Sequence, residues 1–216
     1  MLGWMTQSTT LKSFRFDDLE ILDGNREAVY LARTWTGKYP DVKRGLLLQG
    51  PAGTGKTHLA AAIANELPQV YWATMPELLV ELRPGSGTQK AVDVAEECYR
   101  NCHGNCGPVQ QGIKPQRNCV YCPYFLRGRQ PIMGNAAEAP VLVLDDLGAN
   151  KPTEWVAEQV YNLLNQRIEM GLPVIGTTRY SLEELEGRLG HDRAVSRLIG
   201  LCAMVKVWGG DWRAKR

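Results

Sequence analysis

The sequence predicts an α/β fold, a parallel sheet flanked by helices, interrupted by one small insertion. Three observations carry this expectation. Short apolar runs alternate with helix-patterned segments along most of the chain, as in successive βα units. The run Gly45-Leu46-Leu47-Leu48-Gln49 leads into Gly50-Pro51-Ala52-Gly53-Thr54-Gly55-Lys56-Thr57, which fits G-x-x-x-x-G-K-[ST], and a helix-forming stretch follows. Val141-Leu142-Val143-Leu144 is a continuous apolar run, typical of a parallel strand buried on both faces, and it ends in Asp145-Asp146.

In chain order, residues 1–12 read as a flexible tail, and Phe14, Phe16 and Leu19 as a small group that docks the following segment on the core. Residues 25–39 read as a helix with Ala28, Leu31, Ala32 and Trp35 on one side. After the glycine pattern, residues 58–67 place Leu59, Ile63 and Leu67 at i, i+4, i+8. Val70 to Thr74 is a second strand, and Thr74-Met75-Pro76-Glu77 is a capping-box start to a helix carrying Leu78, Leu79 and Leu82. Pro84-Gly85-Ser86-Gly87 breaks the pattern. Beyond the Val141 strand, Lys151-Pro152-Thr153-Glu154 opens a long helix whose buried stripe is Val156, Val160, Leu163, Leu164 and Ile168, stopped by Gly171. Val174 to Thr178 is the next strand, Ser181-Leu182-Glu183-Glu184 starts another capped helix, and Val205 to Trp208 is the last strand. The core is therefore expected at 13–87 and 138–216, with an insertion at 88–137.

The 216 residues are 44% hydrophobic and 22% charged, with a net charge of +2, an ordinary globular composition. No apolar run reaches the ~20 residues a membrane helix needs, and the N-terminus lacks a signal-like core. A cytoplasmic protein with reduced thiols is expected.

The glycine pattern points to a nucleoside triphosphate. Glycines let backbone N–H groups curl around phosphate oxygens at a helix N-terminus. Gly50 to Thr57, with His58, form the expected ATP-binding set. Lys56 would reach the β- and γ-phosphates, and the Thr57 hydroxyl would ligate Mg²⁺. A hydrophobic strand delivers its C-terminal carboxylates to the ligand edge of a parallel sheet. Asp145 is therefore the candidate for Mg²⁺, directly or through water, and Asp146 for positioning the attacking water.

The runs 45–67, 141–154 and 177–197 resemble the AAA+ ATPases of the DnaC/DnaI helicase-loader and IstB transposition-helper group. Leu144-Asp145-Asp146-Leu147-Gly148, followed by Lys151-Pro152-Thr153-Glu154-Trp155, carries most of that likeness. The resemblance implies an AAA+-type P-loop NTPase without a full lid domain. It also implies an oligomer in which Arg197, or Arg193 one turn earlier, reaches a neighbouring subunit's ATP as an arginine finger. The strand ending Thr177-Thr178 would read the γ-phosphate. The group has Asn where this chain has Arg179, so Thr178 and Arg179 are both candidates. DNA, single-stranded DNA among the options, and a replicative helicase or a transposase are the implied partners. Only about a dozen residues precede the ATPase-like region, where the loaders carry a helicase-gripping domain. Outside the group, a phosphate-loop kinase acting on a small molecule and a nucleotide-switched binding module are the other classes the residues allow.

The insertion follows a different logic. Five of the six cysteines lie in it: Cys98, Cys102, Cys106, Cys119 and Cys122. Cys102-x3-Cys106 and Cys119-x2-Cys122 read as two metal knuckles, with zinc favoured over an iron–sulfur cluster. Cys98 or His103 could replace one of the four ligands. Arg100, Lys114, Arg117, Arg127 and Arg129, with no acidic residue between Cys98 and Ala137, accompany Tyr99, Tyr121, Tyr124 and Phe125. The aromatics either stack on single-stranded bases or pack around the metal. Cys202 reads as a core residue.

Overall fold

The computed structural model describes residues 11–83, 133–190 and 192–210. The chain divides into two compact units, Met1–Glu77 with Ala136–Arg216, and Leu78–Asn135. Of the second, residues 78–83 and 133–135 are described and are mostly helical. The five knuckle-region cysteines, His103 and the aromatics of the insertion lie outside the described residues. Among the described residues no group of three or more His, Cys, Asp or Glu could hold a metal ion, and no helix is long and apolar enough to cross a membrane.

The first unit is built on five strands: β1 (Gly45–Gln49), β2 (Val70–Thr74), β3 (Val141–Asp145), β4 (Val174–Thr178) and β5 (Cys202–Lys206). They form one sheet in the order β2-β3-β4-β1-β5, and every pairing is parallel. The helices are α1 (Arg26–Lys38), α2 (Lys56–Asn65), α3 (Met75–Leu82), which begins in this unit, α4 (Glu154–Met170), α5 (Leu182–Leu189) and α6 (Asp192–Leu201). Successive strand residues face opposite sides. Leu46, Leu48, Val70, Trp72, Val141, Val143, Ile175 and Val205 share a core with α1, α2 and Phe16. Leu47, Leu142 and Leu144 alternate with them and are equally buried, so both faces of the sheet are covered.

The local signals behave as their chemistry requires. Thr74 and Glu77 exchange the capping-box bonds that open α3, with Glu77 N–H donating to Thr74 Oγ1 at 3.3 Å. Thr153 caps α4 by accepting from Val156 N–H, Ser181 and Glu184 form a full capping box on α5, and Gly171 closes α4 with φ 66°. Phe16 is buried, and Leu11, Phe14 and Leu19 pack against the same core.

Three expectations need correction. The last strand is Cys202–Lys206 rather than 205–208: pairing with β1 begins at Gly45 opposite Cys202, and Trp208 lies beyond the strand and half exposed. Ile168, expected in the buried stripe of α4, is exposed, whereas Arg167 beside it is fully buried. Arg167 holds that place because its guanidinium donates to the carbonyls of Ala136, Ala137, Ala139 and Pro173 at 2.6–3.0 Å. Its four donated bonds offset the cost of the burial that lowers its pKa to about 10. Finally, Leu11–Ser13, placed partly in the expected tail, forms a 3-10 turn whose Leu11 carbonyl accepts from the Asn65 amide at 2.8 Å.

Candidate nucleotide site

The C-terminal ends of β1, β3 and β4 meet at one edge of the sheet, and the candidate residues gather there. The glycine loop is pinned where it leaves β1: Gly50 N–H donates to the Thr178 carbonyl at 3.1 Å, and Val207 N–H donates to the Gln49 carbonyl at 2.7 Å. A Cβ on Gly50 would lie 1.9 Å from the Val207 carbonyl oxygen, so only glycine fits between these backbones. Gly53 and Gly55 have φ of 80° and 90°, the left-handed region glycine enters without strain, and α2 starts at the next residue. Thr54 Oγ1 donates to the Pro51 carbonyl at 3.0 Å and Lys56 Nζ to the same carbonyl at 2.6 Å.

Across from the loop, Thr57 Oγ1 donates to both oxygens of Asp145, at 3.0 and 3.2 Å. Asp145 also accepts from Thr177 Oγ1 at 2.5 Å, and Thr177 Oγ1 in turn accepts from the Asp146 N–H at 3.0 Å. Burial holds the Asp145 carboxyl above its ordinary 3.8. The Thr177 hydrogen bond opposes that rise, the neighbouring Asp146 charge adds to it, and the bonds from Thr57 and the Asp146 backbone lower it again. Asp146 is exposed at φ 57°, a left-handed conformation that Asp tolerates, and this turns its side chain out of the strand.

A cavity of about 1300 Å³ opens on this edge. The loop side contributes Ala52, Gly53, Gly55, Lys56, Thr57 and His58, and the sheet side Asp146, Leu147, Arg179 and Tyr180. Ser13, Phe14, Asp18, Leu19 and Glu20 form a further wall. That wall is fastened to α2: Phe14 stacks on His58 with ring centroids 4.2 Å apart, and the same imidazole meets the Arg15 carbonyl at 3.1 Å. The loop's backbone and Lys56 suit phosphates, and the Thr57–Asp145 oxygen pair suits a hard divalent cation.

Not every candidate lies here. Thr178 is buried, donates to the Leu147 carbonyl at 2.9 Å and accepts from Tyr180 N–H at 3.2 Å, so its hydroxyl is committed to the backbone behind the site. Thr177 is the strand threonine that touches the acid pair. Nothing in the local sequence separates the two; the β3–β4 register, Leu144 opposite Gly176, does. The wall at 13–20 was legible only as an apolar group, because what it adjoins is set by docking on α2. Arg197 is not among the cavity's lining residues. Its guanidinium donates from Nε to Asn165 Oδ1 at 3.0 Å and from a terminal nitrogen to Tyr161 Oη at 3.0 Å, and it lies over the Tyr161 ring. Arg193 is exposed on the same helix.

Comparison with known proteins bears on this edge. The AAA family, "ATPase family associated with various cellular activities", matches residues 46–104. The replicative helicase loader DnaI of Bacillus subtilis is 25% identical over 92% of this chain, which spans 58% of DnaI's length. The ATP-dependent zinc metalloprotease FtsH 1 of Sphaerobacter thermophilus is 36% identical over 30% of this chain and is matched over 11% of its own length. Among solved structures, DnaI superposes with a TM-score of 0.66 at 22% identity, covering 95% of this chain and 94% of that one. The DnaC helicase loader superposes with a TM-score of 0.61 at 20% identity, covering 93% of this chain and 100% of that one. The phosphate-loop edge, the all-parallel sheet and these likenesses agree: the chain carries an AAA-family match over residues 46–104, shares its fold with DnaI and DnaC, and is similar in sequence to the AAA+ helicase loader DnaI.

Proposed function

We propose that this protein binds and hydrolyses ATP with Mg²⁺, assembles with copies of itself, and uses the cycle to load or remodel a partner protein on DNA in replication. The observation that carries the reading is the convergence of Lys56, Thr57 and Asp146 on one cavity, with buried Asp145 hydrogen-bonded to Thr57 behind its wall and Arg197 not among its lining residues. Lys56 would leave the Pro51 carbonyl for the β- and γ-phosphates. Thr57 and Asp145 would hold Mg²⁺, whose charge neutralises the developing phosphoryl oxygens. Asp146, exposed at the cavity, would orient the attacking water. Arg197 would complete the site of an adjoining subunit, an effect worth roughly 10³–10⁵ in turnover where such fingers act. The likeness to DnaI and DnaC, named as helicase loaders, supports the replication setting. Cys102, Cys106, Cys119 and Cys122 are proposed as a zinc site in the same protein, which elemental analysis of the full chain reads directly.

The test is a mixing experiment. Asp146→Asn subunits bind ATP but do not turn it over, and adding them to dilute wild type should raise turnover per wild-type subunit. Subunits carrying Asp146→Asn and Arg197→Ala together should not. Turnover independent of protein concentration, and unmoved by either addition, would refute assembly-dependent hydrolysis. Parallel binding to single-stranded and duplex DNA, with and without ATP, identifies the DNA form.

A further inference from the structure

β5 is an edge strand: it pairs with β1 on one side, and among the described residues no strand pairs with its other side. Along an extended strand the backbone groups of successive residues point alternately to the two sides. The Val207 N–H donates to the Gln49 carbonyl at the end of β1, so Ala203, Val205 and Val207 face the sheet, and Cys202, Met204, Lys206 and Trp208 face outward. Two contacts agree with this phase and close the edge at its ends. Arg44 donates to the outward Cys202 carbonyl at 2.5 Å, and the outward Trp208 N–H donates to the Gly24 carbonyl at 2.9 Å. Between them, the N–H and C=O groups of Met204 and Lys206 have no partner among the described residues.

The side chains beside this open stretch have a pattern of their own. Ala203 and Val205 turn to the core shared with α1 and α2, so Met204 and Lys206 lie on the opposite side, where α6 packs on β5. Met204 is 40% exposed, Lys206 is exposed, and Trp208, just past the strand, is 52% exposed. Ile199 of α6 adds another exposed apolar side chain. The Arg44 guanidinium also donates to the Ile199 carbonyl at 2.5 Å, which fixes the corner between α6 and β5 and lowers the ordering cost of binding there. The outward residues therefore read apolar, cationic, apolar. A lysine in the middle of an open edge discourages pairing with a like-charged copy and favours an opposing carboxylate.

We propose that the free edge of β5 is a docking site for a partner protein, which adds an extended segment as a further strand with a carboxylate set between two apolar residues. The open N–H and C=O groups of Met204 and Lys206 supply the pairing. Lys206 selects the carboxylate, and Met204 and Trp208 take the apolar neighbours. None of the three lines the nucleotide cavity, so a docked strand leaves that cavity open.

Fluorescence anisotropy of the full-length protein with a labelled peptide that alternates Ile and Glu over about nine residues tests it. One control peptide has Lys in place of Glu, and another keeps Glu but is N-methylated along its backbone, so that it cannot donate. Wild type should bind the Glu peptide saturably and both controls roughly tenfold more weakly. Lys206→Glu should lose roughly tenfold for the Glu peptide and gain affinity for the Lys peptide. Met204→Pro removes one outward N–H and leaves the bonds to β1, which come from Ala203 and Val205; proline is accepted on the open side of an edge strand, and binding should be lost. Circular dichroism checks each fold, and Lys206→Glu, a surface exchange, decides the matter alone if Met204→Pro does not fold. No saturable binding by wild type, equal binding of the N-methylated peptide, or an unmoved affinity in Lys206→Glu would each overturn the proposal. A wild-type dimer in sedimentation that Lys206→Glu leaves intact and Met204→Pro dissociates would put a second copy on the edge and overturn it too.

Discussion

Thr177→Val and Thr178→Val form a matched pair of perturbations in one buried strand end. Valine has nearly the shape of threonine, so neither change opens a cavity, and both side chains are essentially inaccessible to solvent. In Thr177→Val the donor to Asp145 at 2.5 Å and the acceptor of the Asp146 N–H at 3.0 Å disappear together. A hydrogen bond to a charged group contributes about 1.5–3 kcal/mol, and an orphaned N–H costs about 1 kcal/mol more, giving a loss of roughly 2–4 kcal/mol. In a domain of this size that lowers Tm by roughly 5–15 °C. Thr178→Val also destabilises, because the Leu147 carbonyl and Tyr180 N–H lose a shared partner. Chemistry separates the two. Burial already holds Asp145 above 3.8, and the Thr177 bond is the largest influence pulling it back. Removing that bond raises it further, so the acidic limb of the kcat/KM profile for ATP hydrolysis should move to higher pH in Thr177→Val alone. Thermal unfolding by circular dichroism and hydrolysis across pH are the two assays. A Thr177→Val protein with a wild-type acidic limb, or the same limb shift in Thr178→Val, would refute the assignment of Thr177 to the acid pair.

Further outcomes follow from other buried groups. Arg167→Met removes the donors to four carbonyls and should cost about 3–5 kcal/mol in urea unfolding, since the acceptors stay buried; a loss under about 1 kcal/mol would show the carbonyls find other partners. Burial pushes the Cys202 thiol from 9.0 up to about 12, so the native protein binds that proton more tightly than the unfolded chain. Stability should therefore fall as pH rises from 9.0 toward about 12, and Cys202 should resist alkylation at pH 9 until global unfolding, read by peptide mass spectrometry. Rapid labelling of that peptide in the native state would contradict its burial. Asn165→Leu and Tyr161→Phe each remove one anchor of Arg197. Placed in the non-hydrolysing subunits of the mixing experiment, each should cut the stimulation of wild type, by roughly tenfold for the side-chain amide; full stimulation would leave those contacts a structural role only.

Much of the fold is legible in sequence because its signals are local. The glycine loop needs residues within a few positions of one another, and the capping pairs Thr74–Glu77 and Ser181–Glu184 span three. The same holds for the apolar runs of β1 to β4, whose burial on both faces needs no knowledge of the neighbours. The end of the chain was harder: β5 begins at Cys202 because it pairs with Gly45, far away in sequence, and no local pattern marks that register.

The sequence by itself determined that a phosphate loop and an acid pair exist, since each is written in contiguous residues. Tertiary structure decided which hydroxyl serves them. Thr177 and Thr178 are equivalent as letters; sheet register turns the first to Asp145 and the second to the backbone of Leu147. Arg167 and Ile168 were likewise ranked by hydrophobicity, yet the arginine is inside because residues 136–139 bring three carbonyls to it. Polar burial is settled by partners that arrive from distant parts of the chain, and those partners are assembled only when the sheet and its helices are in place.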